Sequence, residues 1–308
     1  MKVLITGGGG FIGSHLADRL LDEGHEVLSI DNYATGRHDN LTERDGLQIV
    51  DGSITGPELD RAFADFRPDH VVHAAASYKD PEAWIEDVET NARGTAAVVK
   101  AAKAAGIQRF IYFQTALCYG TKPIEQPITL NHPIRPDSSY AISKTAGEQY
   151  IALGGLDFVS FRLANVYGPR NVSGPLPTFF QRLTDGKPCF VMDTRRDFIY
   201  VSDLIDVVMQ ALAGTGSGIY HVSTGKDFSI KELFDATIAA LDIELDEEVE
   251  VRPRAADDAP SILLDPSRIQ QDFGWRATTP LADGVAKAID YYREYGVAET
   301  FTHLKLPG

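Results

Sequence analysis

Tyr140 and Lys144 stand four residues apart in the run Ser139-Tyr140-Ala141-Ile142-Ser143-Lys144, so a helix here stacks their side chains on one face, one turn apart. That spacing can build a proton-abstracting phenol. A free tyrosine has a pKa of about 10. An ammonium group held beside it favours the phenolate and brings it toward the neutral range in which a general base is most effective. Tyr140 therefore reads as a base and Lys144 as the cation that tunes it. The same pair also fits an ordinary solvated helix face, and what separates the two readings lies upstream.

The chain opens with the apolar run Lys2-Val-Leu-Ile-Thr6, enters Gly7-Gly8-Gly9-Gly10-Phe11-Ile12-Gly13, continues through a helical stretch to Asp22, and reaches a second apolar run at 26–30. This is strand, turn, helix, strand. Gly7 permits a tight turn, Gly10 allows backbone to approach a pyrophosphate, and Gly13 lets helix pack on strand, while the positive end of the helix dipole faces the phosphates. The spacing is G-x-x-G-x-x-G. Asp31 closes the second strand, where a carboxylate accepts both adenosine-ribose hydroxyls and repels a 2′-phosphate, so NAD is expected as cofactor in preference to NADP.

At 308 residues with 44% hydrophobic content, the chain can bury a full core and is long enough for two lobes. A net charge of −15 argues against nucleic acid or an anionic membrane as partner, since both select basic surfaces. Local basic residues must then receive any phosphates. The first residues lack a signal-peptide pattern, and no stretch reaches the roughly 18 apolar residues of a membrane span, so a cytoplasmic protein without a membrane partner is expected. Cys118 and Cys189 lack ligand-like spacing, and neither a disulfide framework nor a metal site is expected.

Short apolar runs at 47–50, 70–73, 110–113 and 158–162 alternate with helical stretches such as 91–105 and 140–153. Such strands predict an α/β fold, a Rossmann-type doubly wound parallel sheet whose ligands lie beyond the strand carboxyl ends. After Gly168-Pro169-Arg170 the texture changes to prolines, loops and isolated helices, with strand-like runs at 218–222 and 248–251. The expected organisation is an NAD-binding domain over 1–170 and a smaller α/β substrate lobe over 171–308, part of which can pack back on the first domain. The acidic stretch 242–250 reads as solvated surface.

Eight motifs now stand in order: Thr6-Gly7-x-x-Gly10-Phe-Ile-Gly13, Asp31-Asn32, His73-Ala-Ala-Ala76, Asn91-x-x-Gly94-Thr95, Tyr119-Gly120, Tyr140-x-x-x-Lys144, Asn165-Val-Tyr-Gly-Pro169 and Arg196-Asp-Phe-Ile-Tyr-Val201. On these the chain resembles, over nearly its whole length, the extended short-chain dehydrogenase/reductases, the NAD-dependent nucleotide-sugar epimerases and dehydratases. The resemblance implies a catalytic set of Thr115, Tyr140 and Lys144, in which the Thr115 hydroxyl holds the substrate alcohol and relays its proton to Tyr140. Lys144 also hydrogen-bonds the nicotinamide ribose. It further implies cofactor contacts from Gly7, Gly10, Phe11, Ile12, Gly13, Asp31, Asn32, Ile54, Ala74, Ala75, Lys79 and Asn91. Ser53 stands where relatives often carry an Asp near the adenine.

On the substrate side the resemblance assigns Asn165 and Arg196 to the diphosphate, a role suited to a guanidinium fork, and Pro177-Thr178-Phe179 to the loop against the nucleotide. Lys79 follows the fourth strand and reaches toward the nicotinamide or the substrate. The family's C-terminal arginine corresponds to Arg252 or Arg254, of which Arg254 is taken as the contact.

The reaction subclass is read from what is missing. Relatives that eliminate water place an Asp-Glu pair after the catalytic Thr, and those that decarboxylate place a Glu nearby. Here Ala116 and Leu117 hold those positions, and Cys118 is one residue out of register for the cysteine of 3,5-epimerases and reads as a small buried hydrophobe. The expectation is C4 epimerisation of a nucleotide-linked hexose, with uridine diphosphate as carrier, by a homodimer. The alternatives are a dehydratase, a C5 epimerase or a 4-ketoreductase of the same family. The run Gln114–Gly120 and Ala256-Asp-Asp-Ala-Pro-Ser261 resemble a subgroup found in bacterial surface-polysaccharide pathways.

Overall fold

The computed structural model describes residues 1–78, 80–254, 259–297 and 300. The apolar runs of the N-terminal half become strands β1 (Lys2–Thr6), β2 (Glu26–Asp31), β3 (Leu47–Asp51), β4 (His70–His73), β5 (Arg109–Thr115) and β6 (Phe158–Leu163). They pair in parallel in the order β3-β2-β1-β4-β5-β6, and Gly218–Val222 adds beside β6 as a seventh strand. That last strand lies beyond position 170 in the chain yet completes the same sheet, because the chain returns through the helix Val201–Leu212. The strand order reverses direction between β1 and β4, which opens a crevice at their carboxyl ends.

Helices α1 (Phe11–Asp22), α2 (Glu58–Phe66), α3 (Trp84–Asp87), α4 (Thr95–Ala105) and α5 (Ser139–Gly154) connect the strands. Alternation along β1 shows how both faces are covered. Val3 and Ile5 join a core with Leu16 and Leu20 of α1 and with Leu204 and Val208, whereas Leu4 joins another with Leu59 of α2, Val98 of α4 and Ile151 of α5. Each such fully buried aliphatic contributes roughly 1.5–3 kcal/mol.

The helix expected over 91–105 begins earlier and differently: α3 runs into a π-type turn, Val88–Gly94, before α4. One wide turn there re-aims Asn91, whose amide nitrogen donates to the Ser77 carbonyl (2.9 Å) and whose oxygen accepts from the Ser77 N–H (2.9 Å). Helix α5 begins where the Ser138 hydroxyl accepts the Ala141 N–H (3.3 Å) and ends at Gly155, which takes the left-handed conformation.

The remaining residues form short strand pairs, Asn165–Tyr167 with Phe198–Tyr200 and Phe190–Met192 with Glu250–Arg252, and helices Pro175–Thr184, Ile230–Leu241 and Leu281–Tyr295. Among the described residues no helix is long and apolar enough to cross a membrane.

Candidate active site

A cavity of about 2200 Å³ runs past the carboxyl ends of the strands. Its wall includes Gly7, Gly10, Phe11, Ile12 and Gly13 of the glycine turn. Gly7 has φ +72°, and a Cβ built on it would lie 2.7 Å from the Ala75 nitrogen; one on Gly13 would lie 2.3 Å from the Gly7 carbonyl oxygen. No side chain fits at either position, so the start of α1 sits directly on the turn and its first N–H groups, which lack intrahelical acceptors, remain for an anion. At the end of β2 the Asp31 carboxylate accepts one N–H on each oxygen, from Gly9 (2.9 Å) and Tyr33 (2.8 Å). Burial raises its pKa and these two bonds oppose the rise. Each oxygen keeps a lone pair for a ribose hydroxyl. Glycine turn, helix start and fixed carboxylate together fit a dinucleotide, and Asn32, Ile54, Ala74 and Ala75 line the same wall.

Thr115, Tyr140 and Lys144 face this cavity. Thr115 ends β5, and its hydroxyl accepts the Leu117 N–H (3.1 Å), capping the turn Ala116–Tyr119. Lys144 is buried, with Nζ 4.1 Å from the centre of the Tyr112 ring. Burial pushes its pKa down to about 7, opposed by the Glu148 carboxylate one turn further along α5. The expectation that Lys144 draws the Tyr140 phenol toward neutral pH is not met by the protein alone. Burial holds that phenol well above its ordinary value, helped by the Tyr78 phenol, whose ring meets it edge-on at 6.4 Å, and by Asp87. Asp87 is buried and neither of its carboxylate oxygens has a hydrogen-bond partner among the described residues. Behind the pair, His73 bridges the Thr6 hydroxyl (2.6 Å) and the Thr95 hydroxyl (2.8 Å), and burial pushes its pKa down to about 3, so it stays neutral.

The structure gathers most of the expected substrate residues. Asn165, Thr178, Phe179 and Arg196 line the cavity, the last with its guanidinium donating to the Ala259 carbonyl (3.0 Å). Three expected contacts fall elsewhere. Asn91 is fully buried and ties Ser77 to the Ser143 hydroxyl (3.1 Å), so it holds the wall without lining it. Pro177 points into the protein between Leu176 and Thr178, which do line the cavity. Arg254 is exposed and off the wall; Arg252 lines it instead, stacked 3.8 Å from the Phe190 ring centre and paired with Glu250 (2.7 Å). Lys79 lies outside the described residues. Ser53 lines the wall, its hydroxyl 2.9 Å from that of Thr55. Sequence reasoning missed Arg170 and Arg182, which also line the cavity, Arg170 paired with Asp18 (2.7 Å) and Arg182 donating to the Pro188 carbonyl (2.7 Å). Cys118 is fully buried, its thiol pushed up to about 12 by burial, and so inert. Among the described residues no cluster of three or more His, Cys, Asp and Glu could hold a metal.

Fold and site together define a dinucleotide-dependent enzyme built to oxidise and reduce a hydroxyl-bearing carbon. The chain belongs to the NAD dependent epimerase/dehydratase family, whose sequence profile matches residues 3–223. It is 33% identical to the UDP-glucose 4-epimerase of Mycolicibacterium smegmatis over 95% of this chain and 99% of that protein. Among solved structures it is similar to the Bordetella bronchiseptica enzyme WbmH in complex with NAD+, at 56% identity and TM-score 0.93, over 96% of this chain and 99% of that one. The same organism's WbmG in complex with NAD and UDP matches at 46% identity and TM-score 0.92, over 99% of each chain.

Proposed function

We propose that this chain is an NAD-dependent C4 epimerase of a UDP-linked hexose. The observation that carries the reading is the catalytic wall itself: Thr115, Tyr140 and Lys144 face the cavity together, and the two residues after Thr115 that also line it, Ala116 and Leu117, carry no acid for chemistry at C5. The glycine turn and Asp31 would hold NAD, which would supply a hydride acceptor and the positive charge of its nicotinamide ring. Tyr140 takes the C4 hydroxyl proton through Thr115, and Lys144 favours its phenolate against the burial that keeps the phenol protonated. The 4-keto sugar turns over about its diphosphate linkage, held by Arg196, Asn165 and Arg252, and regains proton and hydride on the opposite face.

Support for a homodimer comes from an apolar surface on adjacent helices: Trp84, Ile85 and Val88 beside Ile142, Tyr150 and Leu153 of α5, all exposed, the last three at spacings that share one helix face. The cytoplasm suits the free Cys118 and Cys189, and the product is assigned to surface-polysaccharide assembly on the resemblance of residues 114–120 and 256–261.

The test is NMR of the product formed from UDP-hexoses in D₂O. A C4 epimerase yields the C4 isomer at unchanged mass with no carbon-bound deuterium. Label at C5 or C3 points to a C5 or 3,5-epimerase, and loss of water to a dehydratase.

A further inference from the structure

The catalytic set is divided between two segments: Tyr140 and Lys144 ride on α5, whereas Thr115 ends β5. Something must hold helix and strand end in register. The register of the sheet places Gln114 of β5 opposite Arg162 of β6, and Arg162 opposite His221 of the seventh strand, one residue short of Thr115. Arg162 is buried and donates from Nη2 to Glu148 Oε2 (2.6 Å) and from Nε to Glu148 Oε1 (3.3 Å), while Ser160 donates to Oε1 (2.6 Å). Its Nη1 donates to the Tyr119 oxygen (2.6 Å). Tyr119 lies 2.6 Å from His221 Nε2, and His221 Nδ1 lies 3.1 Å from the Asp265 carbonyl. A carbonyl only accepts, so Nδ1 carries the proton and the Tyr119 hydroxyl donates to Nε2. Every member thereby has a donor or acceptor matched to it, and donation diverges from Arg162: to Glu148 on α5 on one side, and on the other to Tyr119 at the end of the turn that the Thr115 hydroxyl caps, and on through His221 to the Asp265 carbonyl.

We propose that Glu148, Arg162 and Tyr119 are positioning residues for the epimerisation: a buried, charge-assisted chain that fixes the helix bearing Tyr140 and Lys144 against the turn bearing Thr115. One turn from Lys144 on the same helix, the Glu148 carboxylate also favours the ammonium form of that lysine. None of the three lines the cavity, so they act through the groups that do. Glu148 is one turn from Lys144 and two from Tyr140 on one face of α5. Tyr119 ends the turn begun by Thr115. A buried ion pair is weak evidence of a gain in stability, because an apolar replacement often serves as well; placing two catalytic segments is a use that an apolar contact does not serve. The groups that interact with Lys144 are His73 from β4, Tyr112 from β5 and Glu148 from its own helix. With His73 neutral, Glu148 is the anion among them.

This rests on Thr115, Tyr140 and Lys144 being the catalytic set, and the experiment separates the two claims. Tyr119→Phe keeps the ring and deletes only the hydroxyl that links Arg162 to His221. The expected result is a folded protein with kcat lowered about tenfold and KM within about twofold, since geometry is lost in the transition state more than in binding. Glu148→Gln keeps shape but removes charge, and the alkaline limb of its kcat profile, where Lys144 loses its proton, moves down by about one pH unit. Glu148→Asp restores the limb while leaving kcat low. The Lys144 signal in 13C-labelled-lysine NMR, identified by its absence in Lys144→Met, reports the same titration without turnover. A folded Tyr119→Phe with kcat within twofold of wild type overturns the positioning chain, and an unmoved limb in Glu148→Gln overturns the hold on Lys144. If Glu148→Gln does not fold, Tyr119→Phe and Glu148→Asp decide. Full activity in Tyr140→Phe, run alongside, would instead remove the catalytic set itself.

Discussion

Replacing Thr115 by Val deletes one hydroxyl from two separate duties, and the structure allows the two losses to be sized apart. The first is structural: Oγ accepts the Leu117 N–H (3.1 Å) and caps the turn Ala116–Tyr119. Losing such a cap costs about 0.5–2 kcal/mol. With unfolding entropy near 2.1 cal/mol/K per residue, a chain of 308 residues should then melt about 1–3 °C lower. The second is chemical. A hydrogen bond to a group developing charge is worth about 1.5–3 kcal/mol, which corresponds to a fall in kcat of roughly 10- to 150-fold. KM should change little, because the bond matters most as the C4 hydroxyl gives up its proton. Thr115→Ser keeps the hydroxyl and should retain most of the rate. Initial rates of C4 isomerisation followed by NMR, alongside a thermal melt, measure both quantities on one preparation. If Thr115→Val melts lower yet turns over at the wild-type rate, the hydroxyl is a cap and nothing more, and the relay from substrate to Tyr140 is refuted.

Tyr140→Phe should lower kcat at least about a hundredfold, the low end of a positioned general base's contribution, with nucleotide-sugar affinity nearly intact by calorimetry; near-native turnover would place the base elsewhere. Asp31→Ala removes the acceptor fixed by the Gly9 and Tyr33 N–H groups, so NAD affinity should fall about tenfold or more and the preference for NAD over NADP should collapse; an unchanged preference in a binding titration would contradict its role. Acid should destabilise the fold above the carboxylate range. His15, partly buried, and His73 and His221, both fully buried, are pushed down to about 4, about 3 and about 4, so the unfolded chain binds their protons first and stability present above about pH 6.5 is lost as pH falls. At pH 5 each costs about 2 kcal/mol. Buried Asp197, pushed up to about 6, works in the opposite sense and returns roughly 1.4 kcal/mol at that pH. The net loss of about 4–5 kcal/mol lowers the melting temperature by about 7 °C between pH 7 and 5, and a flat melting profile over that interval would count against the buried, neutral histidines.

What could be read from the chain was whatever depends on neighbours in sequence. The glycine turn and the acid that closes the second strand are local, and so is the one-face spacing of Tyr140 and Lys144; all of them stand where they were expected. Assignments that depend on distant segments fared differently. The run Gly218–Val222 reads as a strand, but nothing within it says that it pairs with Phe158–Leu163. Arg252 and Arg254 are equivalent as letters. Pairing of Glu250–Arg252 with Phe190–Met192 sets which of them meets the Phe190 ring at the cavity wall. One signal was present and unused: Arg162 is a cation closing an otherwise apolar, buried run, and such a charge requires a partner, which Glu148 supplies from α5. The protonation of Tyr140 was beyond local reading for the same reason. Helical spacing states that an ammonium is one turn away. It does not state that both groups are wrapped in protein, that Tyr78 arrives from the loop after β4, or that the carboxylate of Asp87 arrives from α3. Burial disfavours the charged form of each, raising the phenol and lowering the amine, and both shifts run opposite to those a phenolate–ammonium pair would produce by spacing alone. The pair is therefore poised to be switched by charge placed in the cavity, and its chemistry belongs to the assembled wall more than to the helix that carries it.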